Sequence, residues 1–256
     1  MKLRKPERMA PSGKPPRDQL ESAFAGILLP LLARVRGARA AALVDADGET
    51  VDYVGRADPF FVRVAAAHWR IVLKGAQGKA GLGDLVSIAV RLARASYVVH
   101  ALPSGYAIVL LLRQHAQLGG HRRAISACAR LLAEEAGWPA SPQFQWNAVD
   151  VVKGPGGRPQ GLRVVGRTEP IDVLGSYNTG LDWRERGWRV RLTSGAEAML
   201  VRERSGFWYT DEVLAPGPSK KAPSPPGRGT QATNSSATKA AILRRLRLGS
   251  GPRRQP

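Results

Sequence analysis

The sequence predicts an α+β protein in two parts. A domain of order α-β-β-α-β-β-β-α around a five-stranded antiparallel sheet is followed by a small all-β, barrel-like domain. Three observations carry this. Helical periodicity and short apolar runs alternate as far as Trp138, and the pair Asp47-Gly48 separates two of those runs. Beyond Pro139 only short strand-like runs remain. The expected boundaries are a disordered basic N-terminus over 1–17, the first domain over 18–138, a linker over 139–143, the β-rich domain over 144–214 and a disordered basic tail over 215–256.

The elements follow in order. Asp18 is the expected cap of a first helix whose apolar face carries Leu20, Phe24, Ile27, Leu28, Leu31, Leu32 and Val35. Pro30 lies inside that pattern and should bend the helix or end its first part, and Gly37 closes it. Strands are expected at Ala40–Asp45 and Thr50–Val54, joined by the Asp-Gly turn as a hairpin. Asp58-Pro59 caps and opens a second helix running to about Lys74. Three strands come next, Leu85–Leu92, Ser96–Leu102 and Tyr106–Leu112, with Pro103-Ser104-Gly105 turning between the last two. A final helix spans about Gly120 to Ala136 and stops at Gly137. In the second domain the strand-like runs are Leu162–Val165, Pro170–Leu174, Trp188–Leu192, Ala198–Arg202 and Phe207–Thr210.

The formal charge of +19 is concentrated at the two ends: residues 1–17 carry +5 and residues 215–256 carry +9, leaving +5 on the rest. Such ends attract polyanions, nucleic acid or an anionic membrane, without regard to sequence. Within the tail, Thr238 to Leu248 has the pattern of a short helix with Ile242, Leu243 and Leu246 on one side, which needs a partner to fold. No stretch approaches the roughly 18 apolar residues of a membrane span, and residues 1–17 lack the apolar core of a secretory leader. The expected address is cytoplasmic.

The second helix has more apolar surface than one sheet can cover. At about 100° per residue, Arg63, Arg70 and Lys74 share a wedge of about 40°. Phe60, Val64, Ala67 and Ile71 flank it on one side, and Val62, Ala66, Trp69 and Leu73 on the other. Phe61, Ala65 and Val72 lie opposite. A helix on a sheet needs an apolar stripe of about 100°. A second cover is therefore expected, most simply a second copy across a two-fold axis, with Phe60, Val64, Ala67, His68 and Ile71 at the interface. His68 reads as a core or interface histidine, the alternative being a pH-responsive contact.

Ala41-Ala42-Leu43-Val44-Asp45-Ala46-Asp47-Gly48 is similar to the strand and Asp-Gly turn of Roadblock/LC7 domains, and the element order from Asp18 to Trp138 resembles theirs. The pair Tyr97–Ala101 and Tyr106–Leu112, followed by Leu118-Gly119-Gly120, resembles that family's closing part. The resemblance covers about 120 residues, just under half the chain. It implies a homo- or heterodimer with second helices side by side and sheets joined through the third strand. It also implies no catalytic residues and, as in bacterial regulators of this type, a Ras-like small GTPase as partner, with a GTPase-activating or scaffolding role. Two features depart from the pattern: Pro30, and the β-rich domain and tail that follow. Segments Trp188–Leu192 and Gly206-Phe207-Trp208-Tyr209 carry a fainter likeness to a small β domain appended to some bacterial Y-family DNA polymerases.

Motifs for chemistry are absent from the sequence. Gly154-Pro155-Gly156-Gly157-Arg158 lacks the Gly-Lys-Ser/Thr of a phosphate loop and reads as a hairpin loop. His68, His100, His115 and His121 have no metal-ligand spacing, and no nucleophile elbow or acid–base carboxylate pair is present. The single cysteine, Cys128, sits at helical spacing with Ile125, Leu131 and Leu132 and reads as an inert core thiol. No cofactor, metal or enzymatic activity is expected. The reading is a cytoplasmic homodimeric adaptor serving a small GTPase. The alternative is a nucleic-acid-associated protein using the tails and a β-domain surface of Trp183, Arg189, Arg191 and Trp208, where aromatics among arginines stack bases.

Overall fold

The computed structural model describes residues 20, 22–77, 85–139, 141, 145–164, 166–179 and 185–212. Asp18, both basic ends, the 238–248 segment and Trp183 lie outside the described residues. Helix α1 spans Ala23–Arg34 and is capped by Ser22, whose Oγ accepts from Phe24 N at 3.2 Å. The Ser22 N–H and hydroxyl both donate to the fully buried Asp52 carboxylate, which also accepts from Tyr53 N at 2.7 Å. The helix continues through Pro30, which sits on the exposed side, where water can take up the carbonyl that proline leaves unpaired.

Strands β1 (Ala38–Val44) and β2 (Thr50–Gly55) form the expected hairpin. In its turn, Asp45 Oδ1 accepts from Asp47 N at 3.0 Å and Glu49 N at 2.9 Å, and Gly48 takes the left-handed φ of 91°. Helix α2 spans Pro59–Ala76. Strands β3 (Ser87–Arg91), β4 (Ala95–Ala101) and β5 (Ala107–Arg113) precede α3 (Arg122–Ala136). Gly137 at φ 69° ends α3, returning its N–H to the last carbonyls. The five strands pair antiparallel in the order β2-β1-β5-β4-β3. Apart from Arg39 near the start of β1 and Arg113 at the end of β5, these two strands are apolar because both sheet faces are covered. Ala41, Leu43, Ile108, Leu110 and Leu112 meet α1 and α3, while Ala40, Ala42, Val44, Val109 and Leu111 meet α2.

The second part is one curled sheet of seven strands. These are β6 (Asn147–Lys153), β7 (Pro159–Val164), β8 (Arg167–Pro170), β9 (Asp172–Tyr177), β10 (Arg186–Arg191), β11 (Glu197–Arg202) and β12 (Trp208–Thr210). Their order is β8-β7-β6-β12-β11-β10-β9, and β7 approaches β9 as the sheet curls. The sequence pattern marks five strand-like runs here and leaves out β6 and β8, whose polar residues Asn147, Asp150, Arg167 and Glu169 dilute the alternation. The glycine-rich loop at 154–158 is the β6–β7 hairpin, as expected.

The two parts pack as one compact unit. Tyr209 of β12 is fully buried in the same core as α1 and α3, with Trp146 and Phe207 against it. The Arg34 guanidinium lies 5.0 Å from the Phe207 ring. Arg123 of α3 lies 4.8 Å from the Trp146 ring, and its Nη1 is 3.1 Å from Glu185 and 3.6 Å from Glu203, with all three charged side chains nearly buried. One guanidinium thus serves two carboxylates.

Burial pushes the Glu203 carboxyl up to about 7, against the pull of Arg123; Glu185 adds to the rise and the Ser205 hydroxyl opposes it. A carboxyl raised in the folded state contributes stability below its ordinary 4.5 and loses it as pH climbs to about 7. His100 runs the other way: burial, helped by Arg122, lowers it to about 4, so its contribution is lost on acidification. Replacing Glu203→Gln should therefore remove a fall in Tm between pH 4.5 and about 7. Thermal unfolding of both proteins across that window checks this, since His100 acts equally in each; identical slopes would refute it.

Candidate functional site

The exposed side of α2 is the most conspicuous surface of the first part. Its start is fixed by Asp58, whose side chain accepts from Phe61 N at 2.9 Å, and by Pro59 in the first turn. Val62, Ala66, Trp69 and Leu73 face the sheet, with Trp69 on Tyr97 at 5.1 Å between ring centroids. Nearly opposite, Phe60 is 70% exposed, Ile71 65% and Val64 51%. Of the other expected interface residues, His68 is exposed and Ala67 is half-buried beside the Gly48 turn. The structure adds Phe61 and Val72 to the same exposed side, both visible on the helical wheel as the residues opposite the basic wedge. Withdrawing Phe60, Val64 and Ile71 from water is worth on the order of 5 kcal/mol per copy before the cost of association.

Arg70 departs from its sequence reading. Together with Arg63 and Lys74 it forms the polar wedge of the wheel, yet it is buried, with Nε donating to the Gly105 carbonyl at 2.7 Å. This bond ties α2 to the β4–β5 turn, where Gly105 holds a left-handed φ of 80°. On the same side of the sheet β3 is the edge strand, with Ile88 and Val90 packed toward the α2 core.

In the β part, three of the expected ligand residues are described, and Trp208 does not share a surface with Arg189 and Arg191. Trp208 is buried in the core, 5.0 Å from Trp188 between centroids, and offers no stacking face. Arg189 and Arg191 share Glu197 on the outer face at 3.2 and 3.0 Å. Alternation along β10 places tryptophan and arginine on opposite sides of the strand, and only the arginines reach solvent. Cys128 is buried and its thiol is pushed up to about 12. Among the described residues no group of three or more His, Cys, Asp or Glu is placed to hold a metal ion, and no helix is long and apolar enough to cross a membrane.

The first part is similar to Roadblock/LC7 domains. A Roadblock/LC7 domain from Streptomyces avermitilis is 20% identical, with 44% of this chain and 98% of that chain covered and a TM-score of 0.40. The gliding protein MglB of Thermus thermophilus is 18% identical over 45% of this chain and 92% of that one, with a TM-score of 0.37. MglC from Myxococcus xanthus is 22% identical over 44% and 99%, with a TM-score of 0.35. No family model and no curated protein matches the sequence. The expected element order and sheet are those observed in this chain.

Arg70→Ala should cost roughly 1–3 kcal/mol, because the Gly105 carbonyl loses a charged donor in a partly buried site. Urea denaturation measures it; a change below about 0.5 kcal/mol would show that water replaces the guanidinium freely.

Proposed function

We propose that this protein is a non-catalytic adaptor or regulator that works as a homodimer through α2 and binds a Ras-like small GTPase. One observation carries the reading: the stripe of Phe60, Val64 and Ile71, on a helix whose other side is already committed to the sheet. A lone copy leaves this stripe in water, and a second α2 across a two-fold axis covers it with matching chemistry. The free edge of β3 suits the joining of two sheets that the Roadblock/LC7 resemblance implies. The GTPase comes from that resemblance, carried by Ala41 to Gly48 and by the order of elements. A GTPase-activating role and a scaffolding role both fit this surface. The nucleic-acid reading keeps the charge of the two ends but loses the stacking platform, since Trp208 is in the core.

Light scattering should report a dimer at micromolar concentration, and the double substitution Val64→Asp with Ile71→Asp should give a folded monomer. A folded wild-type monomer would overturn the dimer. Pull-down against the small GTPases of the source cell, loaded with GTP or GDP, should recover one of them in a nucleotide-dependent way. Recovery of none would remove the GTPase from the proposal.

A further inference from the structure

A second surface, remote in sequence from the α2 stripe, is built from two loops. The α1–β1 connection supplies Arg36 and Gly37, the end of β5 supplies Arg113, and the β5–α3 connection supplies His115, Gln117 and His121, around a cavity of about 530 Å³. No carboxylate lines it among the described residues. Five arginines elsewhere in the described residues pair with acids: Arg123 with Glu185 and Glu203, Arg130 with Glu134, Arg167 with Glu169, and Arg189 and Arg191 with Glu197. Arg36 and Arg113 have no acidic partner among the described residues.

The walls are held in place by bonds that leave these cations unengaged. Arg113 N–H donates to the Gly37 carbonyl at 2.8 Å, and Ala116 N–H to the Arg113 carbonyl at 3.0 Å. Ser96 Oγ donates to the Gln114 carbonyl at 3.0 Å and Arg91 Nη2 to the Ala116 carbonyl at 2.9 Å. The His121 ring donates from Nε2 to the Gln117 carbonyl at 2.7 Å, since a carbonyl can only accept. Gly37 holds φ at 85°, and a Cβ there would come within 3.0 Å of the Ala116 Cβ, so the two connections are pressed together. Pinning at this many points fixes the backbone of both connections before a ligand arrives.

A third feature has the same sign. His121 is the N-cap of the fifteen-residue α3 but makes no side-chain cap, and the first turn contains no acid. The positive end of the helix therefore has no neutralising side chain beside His121, which lines the cavity. Burial keeps His121 below the ordinary histidine range, so the permanent charge of the cavity rests on Arg36 and Arg113.

We propose that this cavity binds a small phosphate ester, with the phosphate group held by Arg36 and Arg113. The volume lies within the range of small-molecule sites, roughly 300–1,000 Å³, and exceeds what a lone phosphate fills. Guanidinium pairs with phosphate oxygens through paired N–H donors, which gives preference over chloride as well as attraction.

The probes are inorganic pyrophosphate and adenosine monophosphate, titrated calorimetrically into the full chain in chloride buffer. Both should bind saturably at one site, and Arg36→Gln with Arg113→Gln should weaken them about tenfold or more while Tm in the absence of ligand stays unchanged. The basic ends remain in that variant, so binding that is undiminished by the double substitution belongs to the ends and overturns the proposal. Absence of saturable binding to the wild type at millimolar probe overturns it too. If the variant loses its fold, the single substitution Arg113→Gln, at an exposed side chain, decides in the same way.

Discussion

A sheet that is apolar on both faces must be covered twice, and most of this structure answers that requirement. The central strands β1 and β5 alternate their side chains into two separate cores, so neither face can be left to water. Helices α1 and α3 close one face and α2 the other. The two covers are unequal. Two helices and a strand of the second part are stacked on one side, but a single helix stands on the other, apolar on its far side as well.

The appended β part therefore does more than extend the chain. By inserting Tyr209, Phe207 and Trp146 against α1 and α3, it occupies the outer surface of the helical pair. The Arg123 cluster adds charge to that contact: two carboxylates share one guanidinium, and burial, with Glu185 beside it, holds the Glu203 carboxyl high. What stays open on the first part is the α2 side, the β3 edge and the pocket at the loop ends.

Much of this was legible in the residues. Asp47-Gly48 located a hairpin because a left-handed position is needed there, and the wheel of Pro59–Leu73 located the exposed stripe because helical geometry is regular. The α1 cap at Ser22 was hidden by its dependence on Asp52, thirty residues away in sequence. The burial of Arg70 was hidden for a similar reason: the wheel places it beside Arg63 and Lys74 but carries no sign of the Gly105 carbonyl, thirty-five residues on. Strands β6 and β8 hold their place by pairing with β7 on either side, so their own composition says little. The union of the two parts through Tyr209 also lay beyond local pattern, because β12 is three residues long and carries no period that distinguishes its two neighbours.

The burial of Cys128 has a practical corollary for chemistry done on this molecule. The only thiol in the chain is sealed beneath α1 and held in its protonated form, so maleimides and other soft electrophiles find nothing to attack in the native state. A cysteine installed anywhere on the surface becomes the sole nucleophilic sulfur on offer. The wild-type chain is in this sense already a blank background for site-selective dyes, spin labels and cross-linkers.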